Sequence, residues 1–197
     1  MQKDIQTVPL GVDLAHIYGT TPAAEKSDVI FVGRLLAHKN VDALIKAIAL
    51  VKKSKSNVRC LIVGNGPEKE ALETLIDTLD LQAHVQILSG VESSSEVYAL
   101  MKASKMLVSP SVREGFGLVA VEANAAGIPV ITSNHPDNAT RTLIHQHNGV
   151  VVEPEAEAIA RQIRAILRTR GAMEPALNLE QYDWQVVAGN IERSYGL

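Results

Sequence analysis

The sequence is organised around the segment Ser109-Pro-Ser-Val-Arg-Glu-Gly-Phe-Gly-Leu-Val-Ala-Val-Glu122. An apolar run at 106–108 leads into it, and apolar residues at helical spacing continue from 118 to 126. A strand, a glycine-rich turn and a helix therefore follow one another, which is the order in which α/β proteins build ligand sites. We expect a ligand at this turn.

The turn carries groups suited to phosphate and groups suited to sugar. Gly115 and Gly117 allow the backbone to approach a ligand closely and to adopt a positive φ. The helix that begins near Gly117 offers free N–H groups and the positive end of its dipole, both of which suit a phosphate. Glu114 and Glu122 add carboxylates, which are poor phosphate ligands but good acceptors for sugar hydroxyls.

Apolar runs and helical patterns alternate along the rest of the chain. The predicted strands lie at 28–32, 58–63, 85–88, 105–108, 128–132 and 149–152. The predicted helices lie at 41–51, 67–79, 97–103, 118–126 and 155–170, and Asp183 is placed to cap a last one. This alternation predicts an α/β fold with a doubly wound parallel sheet of about six strands.

Composition excludes several classes of protein. The 197 residues include 46% hydrophobic and 21% charged residues, which is typical of a globular domain with a substantial core. The net charge of −3 gives no basic field for nucleic acid or a membrane surface. The single cysteine, Cys60, lies in an apolar strand pattern, where a buried, inert thiol fits a reducing compartment such as the cytoplasm.

Two cations follow the first predicted strand. Arg34 and Lys39 lie in the loop at its carboxyl end, where sheets of this kind bind ligands. Together they would offset the charge of a diphosphate, Arg34 through its planar fork and Lys39 as a mobile point charge. The alternative is an ordinary solvated pair on the surface.

The spacing of the two glutamates connects the chain to a known family. Seven residues separate Glu114 from Glu122, with Pro110-Ser111 before them and Gly127-Ile-Pro-Val-Ile131 after them. This pattern resembles the E-x7-E motif of retaining glycosyltransferases of the group 1 family, which have the two-domain GT-B fold. The resemblance implies that the chain is the C-terminal, Rossmann-like half, which binds the nucleotide sugar.

The resemblance also assigns roles to the charged residues. Gly33-Arg-Leu-x-x-x-Lys39 resembles the family segment whose Arg and Lys hold the donor diphosphate, so Arg34 and Lys39 are expected to do so here. Glu114 is expected to touch the donor sugar, and Glu122 to accept hydrogen bonds from the ribose hydroxyls. The expected catalytic residues are Arg34, Lys39 and Glu114. For Glu114 and Glu122 the alternatives are a carboxylate at a helix start and an exposed helix charge.

The remaining expected contacts are made largely by the backbone. The full expected donor-binding set is Gly33, Arg34, Lys39, Gly64, Val91, Glu114, Gly115, Phe116, Gly117, Leu118 and Glu122. Gly64 could equally be part of a tight turn without a ligand, and Phe116 could simply pack. The segment His135-Pro-Asp-Asn138-Ala-Thr140 lacks the glycine pair and glutamate that many relatives have, and Asn138 is its candidate polar contact.

The beginning of the chain resembles a hinge. Val8-Pro-Leu-Gly-Val-Asp13 is similar to the family's Pro-Asn-Gly-Val-Asp, which lies just past the hinge between the two domains, although Leu10 replaces the asparagine. The alternative is a turn built on Pro9 and Gly11. The expected division is a hinge-proximal segment at 1–27 and a nucleotide-sugar-binding domain at 28–197, with the N-terminal acceptor-binding domain absent. That domain is also where the full-length enzyme would contact a membrane.

The expected function is donor binding in the transfer of a hexose from a nucleoside-diphosphate sugar to an acceptor hydroxyl. No catalytic metal is expected, because the family needs none and no Asp-x-Asp motif is present. The isolated chain is expected to be inactive, and an exposed face around Trp184, in the last helix, to favour self-association. A GT-B-type epimerase or phosphorylase domain and a non-catalytic nucleotide-binding module remain as alternatives, and the nucleotide is left open.

Overall fold

Six apolar runs pair in parallel into one sheet in the computed structural model, which describes residues 8–169 and 178–195. The strands are β1 Val29–Val32, β2 Cys60–Val63, β3 Val85–Leu88, β4 Leu107–Ser109, β5 Val130–Ser133 and β6 Gly149–Val152. Their order in the sheet is β3-β2-β1-β4-β5-β6. The predicted α/β fold with a parallel sheet of about six strands is confirmed, and the strand order reverses between β1 and β4.

Helices cover both faces of this sheet. They are α1 Leu14–Gly19, α2 Val41–Lys52, α3 Lys69–Thr78, α4 Ser94–Lys102, α5 Leu118–Ala125, α6 Ala156–Arg168 and α7 Trp184–Tyr195. Short 3-10 turns lie at Ala37–Lys39, Ala139–Leu143 and Leu179–Tyr182. None of the helices in the described ranges is long and apolar enough to cross a membrane.

The core consists of two apolar layers, one on each face of the sheet. Because successive side chains of a strand point to opposite faces, Val29 and Phe31 join one layer and Ile30 joins the other. The first layer packs under α2, α3 and α6, and the second under α1, α4 and α5. The inner strands are therefore covered on both faces, which is why β1 and β2 are apolar throughout, whereas the edge strand β3 exposes Gln86.

Two of the predicted helices begin at other residues in the structure, and one short helix was missed. The helix predicted at 97–103 begins at Ser94, because Ser93 has the extended backbone of an N-cap residue. Pro67 lies in a turn, and its helix begins at Lys69. The short helix α1 was not predicted, although Asp13 caps it by accepting a hydrogen bond from the His16 N–H at 2.9 Å. Residue 170, the predicted end of α6, lies outside the described residues.

The beginning of the described chain is held by its last helical segment. The Val12 N–H donates to the Tyr182 carbonyl at 2.7 Å, and the Trp184 N–H donates to the Val12 carbonyl at 3.0 Å. Asp183 caps α7 as predicted, since its Oδ1 accepts from the Gln185 N–H at 2.8 Å. This pairing brings residues 8–13 beside the carboxyl edge of the sheet, where Leu10 reaches the cleft described next.

Candidate functional site

A cleft of about 440 Å³ lies at the carboxyl ends of β1 and β4, where the strand order reverses. Open α/β sheets bind their ligands at such a point. Seven of the predicted site residues line this cleft: Gly33, Lys39, Glu114, Gly115, Phe116, Gly117 and Leu118. Another cleft of about 430 Å³ lies near the opposite edge of the sheet, around Arg59 and His84, and contains no predicted site residue.

Lys39 and Glu114 form an ion pair across the cleft. Lys39 ends the 3-10 turn after β1, whereas Glu114 precedes α5, and Lys39 Nζ lies 2.5 Å from Glu114 Oε2. Their side chains are only 16% and 20% exposed. The alternative that the two cations are ordinary solvated surface residues is therefore wrong for Lys39. The structure adds a direct contact that connects residues 75 positions apart and that the sequence did not indicate.

The backbone of Glu114 is fixed by the loop after β5. Its N–H donates to the Asp137 carbonyl at 3.0 Å, and its carbonyl accepts from the Ala139 N–H at 2.9 Å. Asn138 lies between these partners and is fully buried. Its amide donates to the Ser133 carbonyl and its Oδ1 accepts from the Thr140 N–H, so the interpretation of Asn138 as a polar contact for the sugar is wrong. Its side chain is used to shape the loop that holds Glu114.

The turn before α5 presents free backbone donors to the cleft. Gly117 is the N-cap of α5 and has a φ of 93°, whereas Gly115 is not among the glycines with positive φ. Within the described residues, the N–H groups from Gly115 to Leu118 donate no backbone hydrogen bond. These four residues line the cleft that Glu114 and Lys39 border, and α5 begins there with the positive end of its dipole, which suits the binding of an anion.

Phe116 also has a packing role. Its ring meets the Tyr182 ring edge-on, with centroids 6.0 Å apart. Because Tyr182 is buried in the segment that pairs with Val12, this contact ties the turn to the beginning of the described chain. The packing alternative for Phe116 holds for its side chain and leaves its backbone N–H available.

Arg34 and Gly64 lie next to the cleft without lining it. Arg34 is exposed, and its side chain makes no hydrogen bond or ion pair within the described ranges. Gly64 packs on the loop after β1, because a Cβ at this position would lie 1.9 Å from the Gly33 carbonyl oxygen. This close approach of two backbones explains the glycine by itself. A ligand contact from Gly64 stays a prediction, as does one from Val91, which is half-buried near the apolar layer around α4.

Glu122 does not line this cleft; it is half-buried and accepts a hydrogen bond from a tyrosine, and its contact with a ligand stays a prediction. It lies in the second turn of α5, and its Oε1 accepts a hydrogen bond from the Tyr98 hydroxyl of α4 at 3.1 Å. Burial raises the pKa of Glu122, although the hydrogen bond from Tyr98 opposes this shift. The alternative of an exposed helix charge is therefore wrong. Tyr98 is a residue that the sequence did not single out, because its pattern is that of any core tyrosine on a helix.

This raised pKa predicts a pH effect on stability. Because the pKa of Glu122 is higher in the folded state, its favourable contribution is fully present below the unfolded pKa and is lost as the pH rises through the folded pKa. We expect Glu122→Gln to be more stable than the wild type at neutral pH, with the difference shrinking as the pH falls towards about 4. Urea unfolding across this range measures it, with Glu96→Gln at an exposed position of α4 as the matched control. A Glu122→Gln variant that is less stable than the wild type at neutral pH would contradict the burial effect.

The described residues contain no group of three or more His, Cys, Asp or Glu side chains arranged to hold a metal ion. Two hydroxyls beside the cleft are buried and have no hydrogen-bond partner in the described part of the chain: those of Ser111 and Thr140. Thr140 Oγ1 faces Gly117, where a Cβ would lie only 2.1 Å away. This crowding and the positive φ of Gly117 together explain the glycine at the N-cap of α5.

Comparison with known proteins places these features in context. A family model described as Glycosyl transferases group 1 matches residues 19–183. An uncharacterized glycosyltransferase of Methanocaldococcus jannaschii is 32% identical over 81% of this chain and 42% of its own length. The phosphatidyl-myo-inositol mannosyltransferase of Mycobacterium leprae is also 32% identical, over 98% of this chain and 54% of its own length. The chain thus spans about half the length of the curated relatives it matches.

Solved structures share the fold. Sucrose-phosphate synthase from Thermosynechococcus elongatus superposes with a TM-score of 0.81 and 25% identity, covering 96% of this chain and 51% of that one. The Anabaena protein HepE in complex with UDP-glucose gives a TM-score of 0.80 at 23% identity, covering 94% of this chain and 56% of that one. The sheet and its helices therefore match one Rossmann-like half of these larger proteins.

Proposed function

The chain belongs to the group 1 family of glycosyltransferases, and we propose that it supplies the donor-binding half of a retaining enzyme that moves a hexose from a nucleoside-diphosphate sugar to an acceptor hydroxyl. The observation that carries the proposal is one cleft that combines Lys39, Glu114 and the free N–H groups at the start of α5. A cation and backbone donors suit a diphosphate, and the carboxylate suits a sugar. The complex of the structurally similar HepE with UDP-glucose supports a ligand of this class.

In this proposal the diphosphate lies against the N-terminus of α5. The N–H groups from Gly115 to Leu118 bind its oxygens, and Lys39 and Arg34 approach it from the loop after β1. These groups stabilise the negative charge that grows on the diphosphate as it leaves the sugar. The proposal assigns this role to the protein's own cations and backbone dipoles, without a catalytic metal.

Donor binding requires the ion pair in the cleft to rearrange. Lys39 contacts Glu114 directly, so a diphosphate that binds Lys39 has to compete with this carboxylate. Lys39 would then turn to the diphosphate, and Glu114 would be released to accept hydrogen bonds from the donor sugar. Hydrogen bonds from the sugar hydroxyls would replace the contact of the Glu114 carboxylate with the Lys39 ammonium group. Occupation of the phosphate subsite is therefore coupled to occupation of the sugar subsite.

Charge removal tests the diphosphate assignment. We expect Arg34→Ala and Lys39→Ala each to weaken the binding of inorganic pyrophosphate by about 10- to 150-fold, the range that corresponds to roughly 1.5–3 kcal/mol for hydrogen bonds to charged groups. Binding of a nucleoside without phosphates should change little. Isothermal titration calorimetry measures both ligands, and Lys46→Ala, on the outer surface of α2, is the control for loss of one positive charge.

The Lys39 variant needs one further control. Lys39→Ala leaves the Glu114 carboxylate unpaired beside the proposed diphosphate, so part of its effect would be repulsion. The double variant Lys39→Ala/Glu114→Gln removes that charge and should still bind pyrophosphate more weakly than Glu114→Gln alone. Equal losses of nucleoside and pyrophosphate affinity in Arg34→Ala would show that Arg34 does not bind the diphosphate.

The exposed apolar residues near the cleft fit the other half of the enzyme. Leu10 and Trp184 are 50% and 54% exposed, and both lie where residues 8–13 pair with the start of α7. Val186 and Ile191 of the same helix are also exposed. We call the surface formed by Leu10 and Trp184 the apolar rim, and we assign it to contact with the acceptor-binding domain. In the isolated chain the same surface favours self-association.

A further inference from the structure

The two oxygens of the half-buried Glu122 carboxylate differ in their hydrogen bonding. Oε1 accepts the hydrogen bond from the Tyr98 hydroxyl at 3.1 Å. Oε2 accepts no hydrogen bond from the described residues. An ionised carboxylate can accept about four hydrogen bonds, so most of this capacity is unused.

Tyr98 is itself held in a single orientation by its surroundings. Its residue is 7% exposed, and its ring meets the ring of His16 edge-on with centroids 5.3 Å apart. His16 is positioned in turn by Ser95, whose Oγ lies 2.6 Å from His16 Nε2. The ring of Tyr98 is therefore fixed between α1 and α4, and its hydroxyl is directed at α5.

A purely structural role accounts poorly for a carboxylate at this position. A buried tyrosine hydroxyl needs an acceptor, and a glutamine side chain or a backbone carbonyl would provide one without burying a charge. Burial raises the pKa of Glu122, which means that ionisation of the carboxyl is penalised. Residues whose pKa is shifted by burial and by a specific partner are concentrated at functional sites.

We propose that Tyr98 is a positioning residue for nucleotide binding: it holds Oε1 of Glu122 so that Oε2 is aimed at the ribose hydroxyls of a nucleoside diphosphate. This inference rests on the proposed function, because it takes the ligand to be a nucleotide. The phenol also holds the Glu122 carboxylate in one position before a nucleotide binds. Ribose recognition is then preorganised by α4, a helix that contributes no residue to the cleft around Lys39 and Glu114.

The test compares nucleotides with and without ribose hydroxyls. Uridine, guanosine and adenosine diphosphates and their 2′,3′-dideoxy forms are titrated against the wild type, and those that bind are titrated against Tyr98→Phe. The wild type should prefer the ribose form by about 10-fold or more, and Tyr98→Phe should reduce this preference by about 5-fold. Inorganic pyrophosphate should bind both proteins equally. Tyr18→Phe, at an exposed tyrosine, is the matched control and should keep the full preference.

A double-variant cycle separates positioning from a general effect on the fold. In a Glu122→Gln background, Tyr98→Phe should cause no further loss of the preference for ribose, because the group it positions is already altered. A Tyr98→Phe variant that binds ribose and dideoxy forms with equally reduced affinity would overturn the assignment. So would a wild type that does not distinguish the two forms. If no nucleoside diphosphate binds, the proposed function fails first, and the role of Tyr98 fails with it.

Discussion

Purified alone, the 197-residue chain should bind a nucleoside-diphosphate sugar without transferring the sugar, whereas a chain that also carries an upstream acceptor-binding domain should transfer it. The chain spans about half of its curated relatives, with 42% and 54% of the archaeal and mycobacterial proteins covered. The described cleft contains groups for a diphosphate and a sugar, and the exposed apolar rim at Leu10 and Trp184 lies beside it.

The expected difference is large because the acceptor hydroxyl must be held close to the sugar carbon. Positioning of two reactants contributes about 7–11 kcal/mol to the lowering of a reaction barrier. Release of nucleoside diphosphate from the donor, measured in the presence of candidate acceptors, compares the two chains. Hydrolysis without an acceptor is subtracted as background. Transfer by the short chain at a rate comparable to that of the long chain would show that the acceptor site lies within these residues.

Replacement of Gly117 by alanine should lower the free energy of unfolding by about 2–5 kcal/mol. Two effects contribute. The φ of 93° is a left-handed conformation that costs an L-residue about 1–2 kcal/mol. The new Cβ would also lie 2.1 Å from Thr140 Oγ1 and 2.9 Å from Thr140 Cβ, and crowding of a buried site typically costs about 1–3 kcal/mol.

Gly115→Ala is the matched control in the same turn. A Cβ at Gly115 would meet no atom within 4 Å, and the φ of Gly115 is not positive. The effect of Gly115→Ala on the free energy of unfolding should therefore stay within about 0.5 kcal/mol. Chemical denaturation monitored by circular dichroism measures both variants. Similar stabilities for the two variants would mean that Thr140 moves away and that the turn is not held as the structure shows. Gly117→Ala should also weaken diphosphate binding, because the displaced N-cap carries the free N–H groups.

The strands could be predicted from the sequence because each is a short run of mostly apolar residues. The strands Val85–Leu88 and Gly149–Val152 have the predicted bounds, because polar turns on both sides of a short, mostly apolar run fix where the strand begins and ends. The ends of helices were less certain. Ser93 and Asp13 are capping residues, but Ser and Asp are equally common in ordinary turns, so their patterns did not distinguish the two uses.

Most residues of the candidate site were predicted from the sequence, but the contacts between their side chains were not. Lys39 and Glu114 were both expected at the carboxyl edge of the sheet, and both line the cleft. Their ion pair depends on how the loops after β1 and β4 pack together, which no local pattern encodes. The same limit explains Tyr98, whose hydrogen bond to Glu122 connects two helices. Asn138 is a different case, because its partners Ser133 and Thr140 lie within five residues of it in the sequence. An asparagine that bonds within its own loop has the same local pattern as one that faces a ligand.

Calorimetric titration of the wild-type chain tests the donor-binding function most directly. The ligands are uridine, guanosine and adenosine diphosphates, with NAD as the comparison ligand. The free N–H groups at the start of α5 and the glutamates on either side of them predict binding of a nucleoside diphosphate. The loop after β1 carries Arg34 and Lys39 in place of the Gly-x-Gly-x-x-Gly turn that binds dinucleotides. At least one of the three diphosphates should therefore bind, and NAD should not. Tight binding of NAD with no binding of any of the three diphosphates would contradict the proposed function.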